Sequence, residues 1–409
     1  MTPSGRRAFA ACVAFVGLVA CGGVDAPPRA PVGGAGALLT ARPVAFGAGG
    51  LTPTLSIPTF DGESVALWAK SEPGTCFALA SLEDAVGRAW VTGREAGPYC
   101  TDCAVRSSLA RDEALIVLPS GEGFTPGDGF AVRFGLMDCE TLTPVETGGE
   151  HRLQLAWLPR ERLPERGRLS LRFLVSQHSM LLGQPDRQRE LLKRLNDEFE
   201  EAGLEVTLDA VAELPDAPLE TRFWTTDLAE LEALLARAPP ALDATVDVVF
   251  AGCLRYDDPF FGPPVPVNGF TPRVGGGAGP ASAVFMPGLR CDSFAAGPTP
   301  WPLDAYAHVL AHELGHFLGL YHCVETDGTT DLLRDTGEQN IMHHNPSRAD
   351  ARGWSPSQGR QIRSHPWVRP APRRPSALLA SGPSVISVLG GYRRLAPTSA
   401  AAQRACGTR

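Results

Sequence analysis

Two kinds of hydrophobic spacing divide the chain. Between Ser64 and Leu158 the apolar residues come in short alternating runs, Ser64–Ala69, Cys76–Leu82, Ala114–Leu118, Phe130–Leu136 and Leu153–Leu158, separated by turn formers such as Pro126-Gly127-Asp128-Gly129. A period of two suits half-buried strands, so these runs predict a β-sandwich-like N-terminal domain over residues 55–160. After the charged, proline-broken stretch Pro159–Gly167, which reads as an interdomain linker, the period changes. Leu169, Leu171, Phe173 and Val175 alternate as a strand. Asp186 to Ala202 places Leu191, Leu192, Leu195 and Phe199 on one side of a helix that Gly203 stops. Alternation returns at Leu204, Val206 and Leu208. A second helix over about Asp227–Arg237, a buried strand at Thr245–Gly252, a Pro- and Gly-rich loop at Tyr256–Pro280 and a strand at Ala283–Met286 follow. Pro302 and Asp304 open a third helix, whose core face carries Leu310, Leu314, Phe317 and Leu318.

The ends of the chain have a different character. Arg6 and Arg7 precede an apolar run from Ala8 to Ala20, too short for a membrane span, so residues 1–20 read as a secretory signal peptide. The run closes as Leu18-Val19-Ala20-Cys21, which resembles a bacterial lipobox and implies lipidation of Cys21, with Gly22 favouring an outer membrane or cell-surface location. Plain secretion after cleavage near Ala20 is the alternative. Residues 21–54, rich in Pro, Gly and Ala, read as a flexible tether, and residues 370–409 as a C-terminal tail.

Composition narrows the class. With 409 residues, 44% apolar and 20% charged, the chain can fill two cores, and a net charge of −8 without a basic block argues against nucleic acid as a partner. Lys70 and Lys193 are the sole lysines among 37 basic residues, a bias that suggests a GC-rich bacterial genome. Ten cysteines fit an exported protein. Apart from Cys12 and Cys21, four (Cys76, Cys100, Cys103, Cys139) fall in the first half and four (Cys253, Cys291, Cys323, Cys406) in the second. Each half can hold two disulfides, with the connectivity open. Cys100 and Cys103 could instead form a redox or metal pair. Cys323 is expected in a disulfide that stiffens the loop beside it.

The chemistry concentrates in residues 312–322, His-Glu-Leu-Gly-His-Phe-Leu-Gly-Leu-Tyr-His. On a helix His312 and His316 share a face, Gly319 can end that helix in a left-handed conformation, and His322 returns as a third nitrogen ligand. Three neutral imidazoles with one open position describe a catalytic zinc site, and Glu313 stands where a general base is needed. The competing reading is a core helix with incidental histidines.

This motif, the downstream Asn340-Ile341-Met342 and a final helix announced by Ser355-Pro356-Ser357-Gln358 together resemble the metzincin zinc endopeptidases, and most nearly bacterial pappalysin-like enzymes. The resemblance covers about half the chain. It implies an α+β catalytic domain over residues 167–369, with a mixed twisted sheet, an active-site helix and a C-terminal helix. It also implies that Met342 forms a turn beneath the metal. Several metzincins carry a tyrosine two residues after that methionine; His344 stands there, as a possible oxyanion or substrate contact or as a surface histidine. His308 could meet a carboxylate beyond the ligands or be a packed or solvated helix residue. Glu325, Asp327, Asp331 and Asp335 crowd the intervening loop, where Asp327, Asp331 and Asp335 could hold Ca²⁺ or be simply solvated. The expected function is zinc-dependent hydrolysis of peptide bonds in extracytoplasmic proteins, on a membrane-tethered lipoprotein. Rival readings are a surface adhesion lipoprotein with an inactive metal site, its N-terminal domain being the working part, and a peptidoglycan amidase.

Overall fold

The computed structural model describes residues 39–372, apart from 93–109, 147–148, 241–244, 259–261, 278–281, 292–298, 327, 329, 347 and 349. The first nine strands are β1 (Leu39–Ala45), β2 (Leu55–Ile57), β3 (Ser64–Ser71), β4 (Cys76–Asp84), β5 (Ala89–Thr92), β6 (Ala110–Arg111), β7 (Glu113–Leu118), β8 (Phe130–Met137) and β9 (Arg152–Arg160). They form two antiparallel sheets, in the orders β1-β9-β3-β7 and β2-β8-β4-β5, with β6 also on β4. The alternating runs explain the arrangement: Val65, Leu67, Phe77, Phe134, Leu153 and Trp157 point into one shared core. Each fully buried side chain of that size stabilises by roughly 1.5–3 kcal/mol. A disulfide, Cys76–Cys139, ties the start of β4 to the turn after β8.

One expectation needs correction here. The tether predicted over residues 21–54 is shorter, because β1 pairs with β9 from Leu39↔Trp157 to Ala45↔Arg152, and the Thr52 hydroxyl accepts a hydrogen bond from Phe134 N at 3.0 Å. Proline and glycine mask this strand in the pattern, since its stability comes from cross-strand backbone pairing with a distant partner. Residues 21–38, with Cys21 and the signal segment before it, lie outside the described residues.

The second half contains β10 (Gly167–Ser176), α1 (Pro185–Phe199), β11 (Leu204–Leu214), β12 (Glu220–Phe223), α2 (Ala229–Leu235), β13 (Val246–Ala251), β14 (Cys253–Tyr256), β15 (Val265–Pro266), β16 (Val284–Pro287), α3 (Leu303–Phe317), α4 (Pro356–Ser364) and β17 (Arg369–Pro370). Strands β11-β10-β13-β16 form a parallel sheet, and β17 pairs antiparallel with the start of β10. Parallel neighbours need a crossover, and α1 supplies it between β10 and β11. Because both faces of this sheet are covered, β10 reads as a continuous apolar run: Leu169, Leu171 and Phe173 pack with α1 and α3, while Leu174 joins Val249, Phe285 and Leu231 on the other face. Strands β12, β14 and β15 form a small separate sheet.

A second disulfide, Cys253–Cys291, links the first residue of β14 to the segment after β16. Cys323 departs from expectation: it is a buried free thiol whose Sγ donates to Gly337 O at 3.4 Å. Burial, with Asp331 nearby, pushes this thiol up to about 12. Cys100, Cys103 and Cys406 lie outside the described residues, as does the expected tail beyond Pro372.

The two halves meet closely. Gln361 on α4 donates to Val117 O of β7 at 3.0 Å, Arg160 at the end of β9 donates to Val368 O at 2.6 Å, and Arg111 donates to Thr226 O. The linker expected over 159–167 is reduced to residues 161–166 between β9 and β10.

Candidate metal centre

Helix α3 is buried on nearly every side, from Tyr306 to Phe317, so its histidines ride on an element held by the core. Its C-terminus explains how the third histidine returns. Gly319 adopts φ +95°, its N–H bonds to His316 O at 2.9 Å, and Leu320 N–H bonds to Gly315 O at 3.0 Å. This pair of bonds is a Schellman cap, which a residue with a Cβ would strain. Three residues past Gly319, the chain has turned back far enough for His322 to face the helix.

The three rings converge. His316 Nε2 lies 3.1 Å from His312 Nε2 and 3.1 Å from His322 Nε2. Each Nδ1 already has an acceptor: Ile341 O for His312 at 2.8 Å, Leu320 O for His316 at 2.8 Å, and Glu325 Oε2 for His322 at 2.8 Å. Carbonyls and carboxylates only accept, so the ring protons sit on Nδ1 and the three Nε2 atoms present lone pairs. Three lone pairs aimed at one point repel each other unless a cation lies between them. Separations of 3.1 Å suit the edges of a tetrahedron, about 3.3 Å for Zn–N bonds near 2.0–2.1 Å. The donor set therefore fits zinc, and the three histidines form a group of candidate ligands within 4.8 Å of one another. Burial, with His322 beside it, lowers His312 to about 3, and burial with His312 beside it holds His316 well below the usual imidazole range. Both are thus neutral, as ligands must be.

Met342 is fully buried beside the ligand-bearing helix at Gly315. It sits in a tight turn closed by His343 N–H to Asn340 O at 3.0 Å and by Met342 N–H to Asn340 Oδ1 at 2.9 Å. Asn340 and Gln358 exchange two side-chain amide bonds, of 2.8 and 2.9 Å, which fasten this turn to α4. Gln358 also completes the capping box of α4 with Ser355. Gly315 has a packing reason: a Cβ there would stand 2.5 Å from Met342 Sδ.

Glu313 faces the loop that holds Gly269 and Thr271. Thr271 Oγ1 donates to Glu313 Oε2 at 2.9 Å and lies 2.8 Å from Glu313 O. Gly269 presses on the same side chain, where a Cβ would come within 2.6 Å of Glu313 Cγ. Burial pushes the Glu313 carboxyl up to about 8, moderated by the Thr271 hydrogen bond. A divalent cation beside it would draw it down again. These groups open onto a cleft of about 460 Å³, walled by Phe270, Val274, Tyr321, Glu325, His344 and Pro346 among others.

The other expected residues have distinct places. His344 lines this cleft, with Nδ1 3.1 Å from Val324 O. His308 is a packed helix residue: its Nδ1 accepts from Arg352 Nη1 at 3.0 Å, and Arg352 in turn donates to Glu198 of α1 at 3.2 Å. Of the candidate calcium ligands, Asp331 accepts from Leu333 N and Thr336 Oγ1, and Asp335 accepts from Ser357 N at the start of α4. Asp327 lies outside the described residues. Three site residues are not marked by the sequence pattern. Glu325, three positions after His322, groups with the acidic loop in sequence, though its spacing from His322 is a usable signal. Thr271 and Gly269 lie in a loop without periodicity and gave none.

Among curated proteins no sequence matches the chain. Similar solved structures include a chain from a chaperone–substrate complex, with 14% identity over 55% of this chain and 38% of that one and a TM-score of 0.28. Metalloproteinase-II from Bacteroides fragilis has 12% identity over 52% and 62%, with a TM-score of 0.31. Archaemetzincin from Methanopyrus kandleri has 16% identity over 48% and 95%, with a TM-score of 0.28. This chain thus spans well under two thirds of the first of these. Residues 302–363, which hold α3, all three histidines, the Met342 turn and most of α4, match the Peptidase_M43 family model, described as pregnancy-associated plasma protein-A, and across them the chain resembles a metzincin-like zinc metalloprotease.

Proposed function

We propose that this protein is a zinc-dependent endopeptidase that hydrolyses peptide bonds of extracytoplasmic proteins, tethered to the cell envelope by a lipid on Cys21. The observation that carries the reading is the convergence of three unprotonated Nε2 atoms beside a buried carboxylate, in a cleft of about 460 Å³. Bound there, a zinc ion supplies Lewis acidity toward a carbonyl and lowers the pKa of a water. The rest falls to the chain. With Oε2 held by Thr271, Glu313 has Oε1 free to take a proton from the attacking water and to pass it to the amine nitrogen as the C–N bond breaks. His344, whose Nδ1 is engaged by Val324 O, offers its other nitrogen to substrate: an acceptor when neutral, a donor to the oxyanion when protonated. Export is supported by the signal-like N-terminus and by two disulfides, which suit an oxidising compartment.

The test is hydrolysis of unfolded casein by the mature protein, with and without chelator, alongside metal analysis. Glu313→Gln is expected to retain one zinc per chain and to lower turnover by roughly 10²–10⁴-fold, the range for a lost general base. Near-normal turnover in that variant removes Glu313 from the mechanism, and a chain without stoichiometric metal removes the peptidase reading itself.

A further inference from the structure

We infer that Arg273 is a positioning residue of the active site, fastening the segment that contacts Glu313 to strand β6 of the N-terminal half. The inference rests on the peptidase reading above. Residues along this segment alternate in what they touch. Thr271 holds Glu313, Arg273 Nη2 donates to Arg111 O at 3.0 Å, Val274 walls the cleft, and Gly275 lies against the ligand-bearing helix, with its N–H on His316 O at 2.8 Å. His365 Nε2 donates to Gly275 O at 2.9 Å and holds the other side of the same peptide.

The gap through which the segment passes admits no side chain. A Cβ on Gly275 would stand 2.0 Å from Leu115 O of β7, and one on Gly276 would stand 2.6 Å from the Phe317 ring of α3. Both glycines have positive φ, +92° and +61°. One face of this backbone is therefore β7, and the other is the end of the helix that carries His312, Glu313 and His316. Arg273 is the polar fastening at that junction. It is only 6% exposed; burial lowers its pKa, and the Glu113 carboxylate, itself 1% exposed, opposes that shift. Glu113 is in turn held by Trp68 Nε1 at 2.8 Å. Arg273 Nε and Nη1 make no hydrogen bond among the described residues, so the Nη2 bond to Arg111 O is the contact that fixes where this side chain sits. Strands β6 and β7 are thus the outer support of the catalytic cleft.

The experiment uses the full mature protein and the variants Arg273→Gln, Thr271→Val and the double substitution, assayed on fluorescein-labelled casein. Arg273→Gln is expected to lower kcat by about 10- to 100-fold, the loss that small misplacements of reacting groups produce, with KM changed by less than about 3-fold and zinc content unchanged. Since Arg273 acts through Thr271, the double variant is expected within about 2-fold of the slower single variant. A second readout needs no activity: amide exchange across residues 273–277 of the metal-free protein, expected to be about tenfold faster in Arg273→Gln than in wild type. Wild-type kcat in Arg273→Gln, multiplied effects in the double variant, or unchanged exchange overturns the inference. If Arg273→Gln does not fold, Arg273→Lys decides: partial loss of kcat with zinc retained supports the fastening, and wild-type kcat overturns it. A wild-type protein that hydrolyses no casein defeats the peptidase reading, while the exchange comparison still decides what Arg273 holds.

Discussion

Replacing Glu325 separates the part of the metal centre held by side chains from the part held by backbone. His312 and His316 are oriented by the carbonyls of Ile341 and Leu320, which no substitution removes, whereas His322 is oriented by the Glu325 carboxylate, 2.8 Å from Nδ1. Losing such a partner lets the ring rotate and lowers its basicity as a ligand, at a cost of about 10- to 100-fold in metal affinity. That range corresponds to about 1.4–2.7 kcal/mol. Glu325→Ala should show the full loss. Glu325→Gln keeps an acceptor oxygen but no charge, and it should lie between wild type and Glu325→Ala. The pair is partly exposed, at 25% and 32%, so screening places the effect in the lower half of the range. The assay is competition for zinc against a chromophoric chelator at fixed pH and salt, with a melting curve to establish folding. Affinities within twofold of wild type in a folded Glu325→Ala protein would show that His322 is oriented without its carboxylate, and the account of its tautomer given above would be wrong.

Other perturbations address separate contacts. Gly269→Ala should retain zinc yet lose most hydrolysis, since its Cβ needs the space of Glu313 Cγ; activity above half of wild type on casein would refute that crowding. Gly315→Ala would ordinarily gain up to about 1 kcal/mol in a helix, but the clash with Met342 Sδ should reverse the sign and destabilise by about 1–3 kcal/mol, read as a shift in urea midpoint. His365 provides a pH dependence: burial lowers it to about 4, so it stays neutral when folded and takes a proton at about 6.5 when unfolded. Its contribution is present above pH 6.5 and is lost as pH falls toward 4, by up to about 3 kcal/mol. Denaturation of metal-free wild type and His365→Gln between pH 7 and 4 should give a shallower decline in the variant, and parallel declines would contradict the assignment.

What could be read from the sequence depended on how local its causes are. The long strands of both halves, α1 and α3 announced themselves because period and caps act over a few residues. His312, Glu313, His316 and His322 did so because a helix and its glycine cap set their spacing. The start of β1 could not be read, since its pairing partner β9 lies more than a hundred residues away. The hydroxyl that orients Glu313 is 42 residues distant, on a loop whose path is set by packing against β7 rather than by any repeat. Cys323 misled for a related reason: compartment chemistry favours pairing, but the fold buries this thiol against Gly337.

The Cys253–Cys291 bond has a further consequence for a protein built to cut others. The stretch it brackets holds Gly269, Thr271, Arg273 and Gly275, and it crosses a cleft where another copy of the same catalyst could reach it. A single nick anywhere inside the bracket would leave both new ends on one molecule, each still joined to the body through sulfur. Such a nicked chain would run as one species until reductant is added, so self-digestion at this place would be invisible on an ordinary non-reducing gel.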